Sequence, residues 1–136
     1  MLAAACGGRG TPVPFVDITR ELRGFEPPRL ARETFTSRAE LADYLRHAMP
    51  GRHLAVPSVD WRQREAILVA SGPRSSTGYA LRVASIFERG DRIVLTVRER
   101  TPALGEPVRA RLTYPYVLIT IPRTDKRLLL HFRGRP

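Results

Sequence analysis

Leu81-Arg82-Val83-Ala84-Ser85-Ile86-Phe87-Glu88-Arg89-Gly90-Asp91-Arg92-Ile93-Val94-Leu95-Thr96-Val97-Arg98 decides the fold class. Leu81, Val83, Ser85 and Phe87 fall on one face of a period-two pattern, with Arg82 and Glu88 on the other. Arg89-Gly90-Asp91 reads as a tight hairpin turn. After it Ile93, Leu95 and Val97 face a core, while Thr96 and Arg98 face out. A helix cannot bury an alternating pattern on one side, so this stretch predicts two antiparallel strands.

The same period continues outward. Ala66 to Ala70 is a wholly apolar run, as expected of a buried strand. Val108, Ala110, Leu112 and Tyr114 alternate with Arg109, Arg111 and Thr113, predicting a half-buried strand. Tyr116 to Ile121 is apolar again, and Leu128, Leu130 and Phe132 alternate with Leu129, His131 and Arg133. Ser71 to Gly78, Thr101 to Pro107 and Pro122 to Lys126 are loops or turns. Upstream, Phe15 to Thr19 and Leu30 to Phe35 read as short strands. One helix interrupts them. Ser37-Arg38-Ala39-Glu40 matches a capping box, in which the Ser37 hydroxyl accepts an amide hydrogen bond and Glu40 reaches back. Leu41, Tyr44, Leu45, Ala48 and Met49 follow at helical spacing until Pro50-Gly51. The expectation is a mostly β fold: an antiparallel β-sandwich or barrel-like sheet with one helix at about 37–49. Residues 1–12 read as a leader and residues 13–136 as a single domain.

The whole chain has 136 residues and 15.3 kDa, enough for one domain with a real core. At 43% hydrophobic and 26% charged it is neither a disordered nor a collagen-like composition. Net charge is +10, and Lys126 is the one lysine among the 23 basic residues. Residues 58–136 carry most of that excess, so the arginines belong to solvated faces of the predicted strands. No run of five basic residues marks a nucleic-acid tail.

Side-chain chemistry offers no reaction class. His47, His53 and His131 lack metal-ligand spacing, and a single cysteine rules out a CxxC knuckle, so neither metal nor cofactor is expected. Ser71, Ser75 and Ser76 lie in a loop without a GxSxG elbow. Gly72-Pro73-Arg74-Ser75-Ser76-Thr77-Gly78 lacks the GK[ST] ending of a phosphate loop and opens a strand. Asp60, Glu65, Asp91 and Glu106 sit in turn or loop positions, and nothing pairs them. Trp61, Tyr79, Tyr114 and Tyr116 could form a stacking platform for nucleic acid, but they fall at strand ends or in apolar runs, where core packing is the default.

The chain opens Met1-Leu2-Ala3-Ala4-Ala5-Cys6-Gly7-Gly8-Arg9-Gly10, which resembles the lipobox of bacterial lipoproteins. That resemblance makes Cys6 the lipidated residue. Five preceding residues are too short for the apolar stretch of a secretory signal, so it also implies a truncated signal peptide.

Three further landmarks stand in order. Val59-Asp60-Trp61 precedes the apolar strand 66–70. Ser71-Gly72-Pro73-Arg74-Ser75-Ser76-Thr77-Gly78-Tyr79 leads into Leu81. Leu112-Thr113-Tyr114-Pro115-Tyr116-Val117 precedes Ile119-Thr120-Ile121-Pro122-Arg123. Together they resemble the PrcB C-terminal-like family of bacterial envelope proteins. The resemblance implies a non-catalytic, envelope-exposed interaction domain that stabilises an exported protease or another secreted partner, with the membrane reached only through a lipid anchor. Loops 71–79 and 101–107 are the expected contact regions, with Arg74, Ser75, Ser76, Thr77, Gly78, Tyr79, Pro102, Pro107, Tyr114 and Tyr116 as candidate residues. Two alternatives stand beside it. Thr77-Gly78-Tyr79 resembles the loop of chagasin-type peptidase inhibitors, and the net charge suits a nucleic-acid-binding basic β domain of the cytoplasm.

Overall fold

The computed structural model describes residues 10–134. Eight strands form among them: β1 (Thr11–Pro12), β2 (Val16–Asp17), β3 (Leu30–Phe35), β4 (Arg64–Ser71), β5 (Ala80–Arg89), β6 (Arg92–Arg100), β7 (Tyr116–Pro122) and β8 (Arg127–Arg133). One helix, α1, spans Arg38–Ala48. The strands build two four-stranded sheets, β1-β5-β6-β8 and β2-β7-β4-β3. They pack face to face as a sandwich, and no barrel closes. The core between them joins Ile67, Val69, Val117, Ile119 and Ile121 of the second sheet to Ile86, Ile93, Leu95 and Val97 of the first.

The second sheet is covered on both sides, which explains why β4 and β7 are apolar at nearly every position. Their alternate residues Ala66, Leu68 and Leu118 meet Leu41 and Leu45 of α1 and Met49 at its C-terminal cap, along with Ile18, Leu22 and Phe25. The helix starts as its sequence dictates: the Glu40 amide donates to Ser37 Oγ at 3.1 Å. The reciprocal bond differs by one residue. Glu40 Oε1 accepts from the Thr36 amide at 2.7 Å and the Thr36 hydroxyl at 3.1 Å, and these bonds hold its carboxyl below the usual range.

Five sequence expectations need correction. Glu65, expected in a turn or loop, lies buried on β4 and accepts from the Thr124 amide at 3.0 Å. The run 15–19 gives only the two-residue β2, followed by a 3-10 turn at Thr19–Glu21. In β5 a bulge between Val83 and Ser85 switches faces, so Ile86 takes the inward position that strict alternation assigns to Phe87. β8 pairs with β6 in parallel. The chain reverses after β6, runs down the opposite sheet as β7, and reverses again, so it re-enters the first sheet in its original direction. Residues 108–114 form no strand. β6 is already flanked by β5 and β8, and β7 by β4 and β2, so neither strand that the segment connects offers it a free edge. It makes one isolated bridge, Arg74 to Thr113.

Candidate functional site

The missing strand creates the most distinctive feature of the molecule. Residues 72–79, after β4, and residues 101–115, after β6, leave different sheets and meet at one end of the sandwich. Their backbones are laced together. The Arg74 amide donates to the Thr113 carbonyl at 2.8 Å and the Thr113 amide returns to Arg74 at 2.9 Å. The Thr77 amide donates to the Arg109 carbonyl at 3.0 Å, and the Arg109 amide donates to Thr77 Oγ1 at 2.9 Å. Thr113 Oγ1 donates to the Ser76 carbonyl at 2.8 Å.

Two arginines fix this double loop to the sheet. Arg74 donates from Nε and an Nη to the two oxygens of Glu99, at 2.7 and 3.0 Å. Glu99 lies on β6 on the same inward-facing side as Val97, and its side chain is fully buried. This bond raises the Arg74 pKa further above its already high value, so the guanidinium stays charged. Its plane also approaches the Tyr79 ring, 5.9 Å from the centroid, a cation–π distance. Arg100 spans the neck of the second loop, donating to the Gly78 carbonyl at 2.6 Å and to Glu106 Oε1 at 2.7 Å. Glu106 also accepts from the Ala103 amide, and these bonds, led by Arg100, lower its pKa. Gly78 has φ +99°, and a Cβ there would lie 2.8 Å from Pro102 Cγ, so the close approach of the loops requires glycine.

The structure therefore brings Arg74, Ser75, Ser76, Thr77, Gly78, Tyr79, Pro102 and Pro107 into one surface formed by two loops. Tyr114 lies at its border, beside the Thr113 bridge. Tyr116 is elsewhere. It stands on β7 with its ring 5.1 Å from Phe25, and its hydroxyl donates to the Leu22 carbonyl. Cys6 and the leader lie outside the described residues.

Several polar groups of the double loop are occupied in holding its shape. Ser76 Oγ donates to the Thr77 carbonyl, and Thr77 Oγ1 serves Arg109. No group of three histidine, cysteine, aspartate or glutamate side chains fit to hold a metal occurs among the described residues. Outward the loops offer apolar side chains beside the exposed Arg109 and Arg111. Leu104 is fully exposed, and Val108 and Leu112 are 42% and 62% exposed. The alternation of residues 108–114 predicts a core-facing Val108 and Leu112, and Leu104 belongs to no such pattern. The available signal was Leu104 within Pro102-Ala103-Leu104-Gly105, a large apolar side chain between turn formers.

Comparison with known proteins gives one family. Residues 66–122 match the family described as PrcB C-terminal, and the match runs from β4 through both loops to the end of β7. It supports the PrcB C-terminal-like assignment for this part of the chain. That accessory family is not a known catalytic one. No curated protein matches the chain, and no solved structure does.

Proposed function

With the PrcB C-terminal match over residues 66–122 as premise, we propose that this domain is a non-catalytic interaction module of a protease complex in the bacterial cell envelope. Its contact surface is the double loop, and its role is to stabilise an exported protease or another secreted partner. The observation that carries the reading is the pairing of a rigid, hydrogen-bonded scaffold with exposed Leu104, Val108 and Leu112. Exposed apolar side chains on fixed loops suit a protein partner, because burying them costs little ordering entropy. Lipidation at Cys6 and the envelope location belong to this proposal.

The test is purification of the tagged protein from the envelope fraction of its host, read by mass spectrometry. Enrichment of an exported protease, lost when Leu104→Asp and Leu112→Asp are combined, supports the reading. Recovery of no envelope protein overturns it. A papain assay separates the chagasin-like alternative. That alternative requires inhibition at micromolar protein, from a loop whose Tyr79 is half-buried beside Arg74.

A further inference from the structure

The first sheet is paired over two residues at its β5 edge and, among the described residues, not at all at its β8 edge. β1 caps the β5 side over Thr11 and Pro12, but no strand among the described residues pairs with the outer side of β8. The edges of the second sheet are blunted. β2 has two residues, and β3 carries exposed Arg32, Glu33 and Thr34. β8 differs: Arg127-Leu128-Leu129-Leu130-His131-Phe132-Arg133 is a regular seven-residue strand. Leu128, Leu130 and Phe132 point toward the core yet are only half-buried, although their β6 neighbours Ile93, Leu95 and Val97 are fully buried.

The outward face supplies the charge. Register places Arg82, Arg98 and Arg133 side by side across β5, β6 and β8, and a second row joins Arg89, Arg92 and Arg127. Among the described residues no ion pair forms at Arg82, Arg98, Arg127 or Arg133. Like charges directly opposed across strands are destabilising. Both rows end at the open edge, and the next position in each belongs to whatever pairs with β8.

We propose that β8 accepts an extended segment of a partner protein as a fifth strand of the first sheet. The segment carries carboxylates at two outward positions six residues apart, opposite Arg127 and Arg133, with apolar side chains at the three inward positions between them. Six residues of strand span about 20 Å, the separation of the two arginine rows. A second copy of this chain is a poor occupant. Antiparallel self-pairing centred on Leu130 sets Arg127 against Arg133 at both ends. This inference rests on the interaction reading only in taking the partner to be a protein, and it uses a different surface from the double loop.

The test uses the purified protein with a fluorescent peptide, Glu-Val-Thr-Val-Thr-Val-Glu, and its lysine-ended counterpart, Lys-Val-Thr-Val-Thr-Val-Lys. The acidic peptide is expected to bind at least about tenfold more tightly than the lysine-ended one, with amide-exchange protection appearing in residues 127–133. The exposed double variant Arg127→Glu with Arg133→Glu reverses the preference. The proposal is overturned by equal binding of the two peptides, by protection confined to the double loop, or by a dimer of the protein alone in sedimentation. Tighter binding of a dT oligonucleotide without protection of β8 assigns the arginine rows to nucleic acid and also overturns it. None of these outcomes depends on whether a protease is recovered from the envelope, so the two readings fail separately.

Discussion

Arg74 and Glu99 tie the two sheets together at one end of the sandwich. Arg74 follows the last residues of β4 in one sheet, Glu99 lies on β6 in the other, and two hydrogen bonds of 2.7 and 3.0 Å join them. A buried pair of this kind adds modest net stability when intact, but breaking it strands a charge. Glu99 has no exposed side-chain surface and Arg74 only 17%. Arg74→Met should therefore lower unfolding free energy by about 3–5 kcal/mol, because Glu99 is left buried and unpaired. The double change Arg74→Met with Glu99→Leu should recover most of that loss. Urea unfolding of the four proteins in the cycle measures the coupling.

The double loop depends on a second close approach, at Gly78. Its φ of +99° is strained for any side chain, and a Cβ would press on Pro102 and on Val108, 3.2 Å away. Gly78→Ala should cost about 1–3 kcal/mol and open the seam between the loops. The local signature is faster exchange of the Thr77 and Arg109 amides, which bond across that seam, with the α1 amides unchanged.

This seam marks the limit of what the sequence makes legible. The hairpin of β5 and β6, the apolar runs of β4 and β7, and the Ser37-capped helix follow from local period and capping chemistry. Residues 108–114 carry an equally good strand pattern, but strand formation requires a vacant neighbour, and topology had filled the edges of β6 and β7. The bulge before Ser85 was hidden for a related reason. Ala84 breaks no local rule, and the switch of face is set by pairing with β6. Loops 71–79 and 101–107 could be named from glycine and proline alone, whereas their union through Thr113 and Arg109 is a property of the folded chain.

The helix gives a packing test. Leu41 and Leu45 are buried against the second sheet, so Leu41→Ala or Leu45→Ala should each destabilise by about 2–5 kcal/mol. Arg46→Ala removes only an exposed pair with Asp43, 2.9 Å away, and should change stability by less than about 0.5 kcal/mol. Thermal unfolding followed by circular dichroism ranks the three.

Alkaline pH should unfold the protein from the helix side. Burial raises the pKa values of Tyr44 and Tyr116, Tyr44 with some help from the Glu33 charge. Both phenols touch Phe25, with ring centroids at 6.3 and 5.1 Å, so they belong to one cluster. A folded pKa above the unfolded one means the folded state holds its proton more tightly. The resulting stability is complete below the ordinary tyrosine pKa near 10 and is lost as pH rises through the folded value. Unfolding free energy should therefore fall steeply above pH 10. Tyr44→Phe combined with Tyr116→Phe should flatten that limb, while lowering stability at pH 7 through loss of the Leu22 bond. At acid pH the sign reverses for Glu106, whose folded pKa is lowered by Arg100. Its contribution is present above the unfolded carboxylate value and disappears as pH falls through the folded one, loosening the 101–107 loop. Spectrophotometric titration of the phenols alongside pH-dependent urea unfolding checks the alkaline limb. Exchange of the Ala103 amide, which donates to Glu106, reports the acid one.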